Sequence, residues 1–270
     1  AAAPVGAFSV YKGQSLIGDA IGHATFPGIV LAYMAFATRS PVVLLAGAIL
    51  AGAASYALIQ LAHRDKRLGL DANLAIFLSG FFGLGMALKS FIQGNPNYTG
   101  ASQAGLGTYI FGQAAYMLEA DVLLIAVVSA LVLTLLLLFY KELKLFVFDA
   151  EYAEVVGLPC RLLNLLLLVM TIAVIGIGIK AVGAILISSF LIIPCVAANQ
   201  WSNNFARVLL LSSLIGAVSA LVGTYISTLE QGMSTGPSII LVASLIAFFS
   251  IVFGTKGILG SVLKRRHAHG

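Results

Sequence analysis

The sequence predicts an all-α, polytopic helical membrane protein with about eight to nine transmembrane helices, and three observations carry that reading. Of the 270 residues, 60% are hydrophobic and only 9% are charged, with a mean hydropathy of +1.04. A soluble domain carries about 25% charged residues, so this chain has too few to cover its own surface in water. The apolar residues also fall into successive runs of about 20, the length a helix needs to cross a hydrocarbon core of about 30 Å. Finally, the 28 glycines suit helices that approach closely in lipid. No stretch is polar enough to form a soluble unit, and residues 1–270 are read as a single transmembrane domain.

In chain order, the opening AAAPVGAFSV is apolar but too short to span. A processed signal peptide is one reading; the preferred one is a first helix entered partway, hence truncated. Spans follow at 15–37, 41–62, 72–92, 119–140, 161–179, 182–200, 206–229 and 237–255. Ser40-Pro41 reads as an N-cap followed by Pro at the first helical position, Asp71 as the cap of the next span, and Gly236-Pro237 as the opening of the last. Residues 93–118 form an uncharged outer connection, and 141–160 an inner one.

The basic residues set the orientation. With Lys12 cytoplasmic, so are Arg64, Lys66, Arg67, Lys141, Lys144, Arg161, Arg207, Lys256, Lys264, Arg265 and Arg266, which places 12 of 15 on one side. Arg39 and Lys180 fall in outer loops, and Lys89 snorkels from an outer helix end. The C-terminus, with the basic tail 256–270, is therefore inside. This distribution also accounts for the net charge of +5 without nucleic acid as a partner.

Several chemistries are excluded. No GxxxxGK[ST] loop is present, so the chain does not itself hydrolyse ATP and is not read as an enzyme. There is no HExxH. Cys160 and Cys195 are far apart and in or beside apolar runs, against a disulfide framework or a thiolate metal site. His63, His267 and His269 lie at a helix end or in the tail, which leaves His23 as the histidine inside a span.

His23 and Asp19 stand out. Four residues apart on a helix, they share a face with Cβ atoms about 5–6 Å apart. Both can then reach one divalent cation through bonds of about 2.0–2.2 Å. A hydrogen bond that merely satisfies two buried polar groups accounts for the pair equally well. One chain supplies only two donors where a divalent ion takes about four to six, so a two-fold partner presenting the same pair would complete an Asp₂His₂ site. Mixed oxygen and nitrogen ligation suits Mn²⁺, Fe²⁺ or Zn²⁺ and disfavours Cu(I). Gly18 and Gly22 form a small-xxx-small pair for a close second helix, and Pro27 deprives the His23 carbonyl of its helical donor. On this topology Asp19 lies about one turn inside the cytoplasmic start of its helix.

Within the inner connection, Asp149 caps a short helix through Glu151, Tyr152, Ala153, Glu154 and Val156, with Gly157 as its C′ residue and Pro159 as its stop. Three of the ten acidic residues sit in this helix. Anionic lipid would repel it, which favours docking on a partner protein. Asp121 and Glu230, near outer helix ends, are read as facing water. Asn199, Gln200, Asn203 and Asn204 flank Trp201 as an interface anchor.

Several stretches resemble, in order, one known family: the permease subunits of ABC importers for manganese, zinc and iron. GDAIGHATFPGIVLAY is similar to that family's GDAxSHAxxPGxxxxY, with Gly22 where Ser is usual. GLGTYIFGQAAYM resembles its FxFGQAxxM, and FDAEYAEVVGLP its FDxExAxxxG. VGAILISSFLIIPCVAANQW resembles its VGxxLxxALLIxPAxxAxxW, with Cys195 and Asn199 in place of Ala and Arg. GTYIS and MSTGPSIILV resemble its GxxxS and MPTGPxIVL. The resemblance implies an ABC importer permease fold, paired with an identical or paralogous permease in the bacterial inner membrane. It further implies two separate ABC ATPase subunits inside and an external metal-binding protein that delivers the ion. In that frame Asp19 and His23 coordinate the transported ion, and Asp149 to Gly157 form the coupling helix. No covalent cofactor is implied; Mn²⁺, Zn²⁺ or Fe²⁺ is cargo, with FGQA and MxTGP leaning towards manganese and iron. The alternative is an ion-coupled secondary transporter in which Asp19 and His23 relay protons.

Overall fold

The computed structural model describes residues 1–38, 40–63, 69–95, 98, 108–230 and 232–257. Arg39, Arg64, Lys66 and Arg67, and the tail residues Lys264 to His269, lie outside the described residues. The side of the α1–α2 turn is called inner below, after the distribution of basic residues.

Among the described residues the chain is helical throughout, without a strand. A ten-residue α1 (Ala2–Tyr11) leads through a tight turn to α2 (Ser15–Phe36), followed by α3 (Pro41–His63) and α4 (Leu70–Gly94). A short α5 (Thr108–Phe111) and a 3-10 turn precede α6 (Glu119–Leu138). The inner connection is itself helical, as α7 (Tyr140–Phe148) and α8 (Ala150–Val155). The chain then crosses back in α9 (Cys160–Val182), followed by α10 (Ile187–Asn199), α11 (Phe205–Leu229) and α12 (Thr235–Phe253). Seven of these, α2, α3, α4, α6, α9, α11 and α12, are long and apolar enough to cross a membrane.

Two sequence expectations need correction. Asp71 is not the cap of α4; the cap position is Gly69, and Asp71 lies in the first turn. The run 182–200 is not a full-length span. Its first residues form a turn, and α10 has only 13 residues. The turn is imposed from outside: Gly183 adopts φ +101°, and the next N–H, of Ala184, donates to the Tyr109 carbonyl of α5 at 2.8 Å. From the far side, Gln113 N–H donates to the Lys180 carbonyl at 2.9 Å.

The helix α2 is the centre of the bundle. Two thirds of its spanning window is buried, against about a tenth for α4. It packs on α3, α4, α9 and α10. The tightest contact is backbone on backbone: a Cβ at Gly28 would lie 2.2 Å from the Gly47 carbonyl oxygen, and one at Gly47 would lie 2.4 Å from that of Gly28. Only glycine lets α2 and α3 meet at this distance. On the opposite side, Gly85 of α4 seats its backbone against Phe26 and Pro27.

At the inner end, five aromatic rings from three helices, α1, α7 and α11, meet. Phe205, at the start of α11, packs on Phe8 at 4.9 Å, on Tyr11 at 5.1 Å and on Phe148 at 5.2 Å between centroids. Tyr140 stacks on the same ring at 6.3 Å, and Tyr11 touches Phe148 at 5.3 Å. The hydroxyl of Tyr11 donates to Asn199 Oδ1 at 3.0 Å, which joins the end of α1 to the end of α10.

Candidate functional site

Asp19 and His23 occupy one face of α2, between α4 and α10. Their Asp19 Oδ1 and His23 Nε2 atoms are 3.6 Å apart, beyond hydrogen-bond range. Two ligands each about 2.1 Å from a shared ion stand about 3.0 Å apart at a right angle and about 3.4 Å apart at a tetrahedral angle, so the spacing is within a few tenths of an ångström of a shared-ion geometry. The His23 ring is fixed edge-on against Phe82 of α4, with centroids 5.0 Å apart. Its Nδ1 is buried without a hydrogen-bond partner. The Asp19 side chain is 31% exposed and that of His23 12%, so the carboxylate is the more open of the two. Among the described residues no three His, Cys, Asp or Glu side chains come together. Asp19 and His23 thus stand as a pair, without a third such side chain beside them among the described residues.

Asp19 lies one turn inside α2, as the sequence indicates, but the sequence leaves the depth of the pair in the bundle open. Ile21, between the two, lies 3.2 Å from the position a Cβ would take on Gly52, halfway along α3, and Ile172, halfway along α9, lies 3.6 Å from the same point. The pair therefore sits at mid-height in the bundle rather than near its inner end. The reason is that the α1–α2 turn is recessed. The Lys12 ammonium donates to Asn164 Oδ1, one turn inside α9, and lies 4.4 Å from the centre of the Phe146 ring, so a cation is satisfied below the inner ends of the helices.

Ser188 is the residue that sequence reading missed. Its hydroxyl, in the first turn of α10, donates to Asp19 Oδ1 at 2.6 Å. It carries no signal in the sequence, because a serine in an apolar helix ordinarily bonds a carbonyl of the preceding turn. The glycine pair beside the site is less tight than expected. A Cβ on Gly22 would meet the Ala184 carbonyl oxygen and Ile187 at 3.5 Å, and one on Gly18 would meet Leu191 at 3.9 Å, ordinary contacts with α10 and the turn before it.

Around the outer end of α9, the other motif stretches converge. A Cβ on Gly236 would lie 1.9 Å from the Val182 carbonyl oxygen and 2.2 Å from that of Phe111; one on Gly183 would lie 2.4 Å from that of Ile110. Stretches far apart in sequence are thus packed backbone to backbone above the site. Asp121, expected to face water, is instead 2% exposed and paired with Lys180. Lys180 itself lies in the last turn of α9 rather than in a loop.

The short acidic helix forms as its sequence dictates. Asp149 Oδ1 accepts from Tyr152 N–H at 2.9 Å. Gly157 takes φ +88°; its N–H donates to the Glu154 carbonyl, and Leu158 N–H reaches the Ala153 carbonyl, each at 3.0 Å. These are the two bonds of a Schellman cap. Ala153 is fully buried, whereas Glu151, Tyr152, Glu154 and Gly157 are exposed, as are Val156 and Val155, the latter at 83%. An exposed apolar face next to three carboxylates is an unusual surface for a loop.

These features define a helical membrane protein, and comparison with known proteins identifies the class: the sequence model of the ABC 3 transport family matches residues 1–254, and the chain belongs to that family. The chain is 40% identical to the zinc transport system membrane protein TroC of Treponema pallidum (strain Nichols) over 263 residues, covering 97% of this chain and 87% of TroC. It is 38% identical over 252 residues to the manganese transport system membrane protein MntC of Bacillus subtilis (strain 168), covering 93% of this chain and 57% of MntC. Among solved structures, PsaBC from Streptococcus pneumoniae in complex with Fab superposes with a TM-score of 0.83 at 29% identity, over 94% of this chain and 87% of that one.

Proposed function

We propose that this chain is the permease half of an ATP-driven importer that moves a divalent transition metal into the cytoplasm across the bacterial inner membrane, with the C-terminus inside. The observation that carries the reading is the 3.6 Å spacing of Asp19 Oδ1 and His23 Nε2 on the central helix, at mid-height and incomplete in one chain. A second permease, identical or paralogous, supplies the other two ligands across a dimer axis. The two carboxylates offset the charge of the ion at low dielectric. Mn²⁺ is the first candidate cargo, with Zn²⁺ and Fe²⁺ next; relatives carry zinc and manganese in their names, and the donor set suits all three.

Two ABC ATPase subunits bind the inner face through α8, whose exposed Tyr152, Val155 and Val156 beside Asp149, Glu151 and Glu154 suit a groove in a partner. An external metal-binding protein delivers the ion. ATP binding and hydrolysis then displace α8, and the Asp19/His23 site opens to one side at a time. Family membership in an ABC class favours this reading over ion-coupled secondary transport.

The test replaces Asp19 or His23 by Ala and measures Mn²⁺ uptake in cells lacking other importers. Uptake is expected to fall to background while the assembled complex still purifies. Normal uptake by the assembled variant would remove the site assignment.

A further inference from the structure

Most hydroxyls on the membrane helices are spent on their own backbone. Thr171 donates to the Leu167 carbonyl, Ser213 to that of Leu209, Ser219 to that of Ile215, and Ser250 to that of Ile246. Each bond closes one turn of helix and leaves nothing to report to a neighbour. Ser188 departs from this pattern. It is 3% exposed, and its hydroxyl crosses from α10 to the carboxylate of Asp19 on α2 at 2.6 Å, the length of a bond to an ionised acceptor.

The oxygen that Ser188 holds is Oδ1, the one 3.6 Å from His23 Nε2. A carboxylate oxygen has two acceptor sites, so one can keep the hydroxyl while the other faces an ion. From these contacts we infer that Ser188 is the positioning residue of the metal site: it locks the Asp19 carboxylate in the orientation that pairs with His23 and so sets affinity for the ion. The inference rests on the reading of Asp19 and His23 as ligands. Hydrogen-bond partners of metal-binding carboxylates orient the ligand, and losing one weakens metal binding about 10–100-fold.

Ser188 also joins the site to the outer end of the bundle. It lies four residues after Ala184, whose N–H is bound to the Tyr109 carbonyl at 2.8 Å. The orientation of Asp19 is therefore tied to α10 and, through the turn before it, to the packed segments around Gly112, Gly183 and Gly236.

The experiment uses the full permease–ATPase complex in proteoliposomes with Mn²⁺ as the probe. Ser188→Ala is expected to raise the half-saturating Mn²⁺ concentration about 10-fold or more. The maximal rate stays within about two-fold, since at saturation the missing bond no longer limits occupancy. Ser188→Thr, which keeps the hydroxyl, is expected to restore most of the affinity. An unaltered half-saturating concentration in Ser188→Ala overturns the inference, as does equal damage by Ala and Thr. If Asp19→Ala leaves uptake intact, it is the ligand reading that falls, and the two failures are distinguished.

Discussion

Lys180, in the last turn of α9, donates to the carboxylate of Asp121, in the first turn of α6, 59 residues earlier in the chain. The same carboxylate accepts the Leu118 N–H at 3.1 Å and so caps its own helix. One buried group thus fixes the start of α6 and the outer end of α9 together. Removing one member of a buried ion pair leaves the other uncompensated, at a cost of about 3–5 kcal/mol, whereas replacing both by apolar residues of similar size is often close to neutral. Lys180→Met alone is expected to lower the unfolding temperature of the detergent-solubilised complex markedly. Asp121→Leu with Lys180→Met is expected to recover most of that loss. Equal melting of the single and double variants would show that the pair does not act as a unit.

The contact of α2 with α3 leaves no room for a side chain at Gly28. A Cβ there would lie 2.2 Å from the Gly47 carbonyl oxygen, and a backbone atom cannot step aside cheaply. Gly28→Val is expected to force the helices apart and cost at least about 1–3 kcal/mol, read as a lower melting temperature and less folded protein. Gly22→Ala is the contrast. Its new methyl meets Ala184 and Ile187 at 3.5 Å, and folding is expected to be unaffected. Normal melting of Gly28→Val would refute the backbone contact.

Two local devices hold α8 in shape, the Asp149 cap and the left-handed Gly157. Asp149→Ala is expected to cost about 1 kcal/mol of helix stability, and Asn caps as well as Asp. If α8 docks the ATPase, co-purification with the ATPase is expected to weaken in Asp149→Ala and to return in Asp149→Asn. Loss in both variants would assign the effect to charge rather than to the cap. Gly157→Ala, strained at φ +88°, is expected to behave like the loss of the cap.

What was legible in the sequence follows from how local its cause is. The α8 cap and its glycine stop are set by residues within ten positions of each other, and both formed as read. Hydropathy located the long spans for the same reason, since burial in lipid depends on each run alone. The shortness of α10 was invisible, because Ala184, Ile185 and Leu186 are as apolar as a helix would be and the turn comes from pairing with Tyr109. Asp121 was misread because its cation lies on another helix. The spacing of Asp19 and His23 was available from the sequence; their depth was not, because it depends on how far Asn164 and Phe146 let Lys12 sink. Ser188 was indistinguishable from the serines that bond their own helix.

The ring cluster at the inner end has a mechanical consequence. Phe148 immediately precedes Asp149, and its ring bears on Tyr11 and Phe205. Tyr11 is followed within eight residues by Asp19 and is hydrogen-bonded to the end of α10, the helix that carries Ser188. Close-packed aromatic groups resist compression, so a push on the acidic helix has little slack to take up before it reaches both helices that carry the site. The inner end is built as a stiff linkage rather than a spring: if α8 docks the ATPase, a displacement there is expected to reach α2 and α10 at nearly full length, and in step.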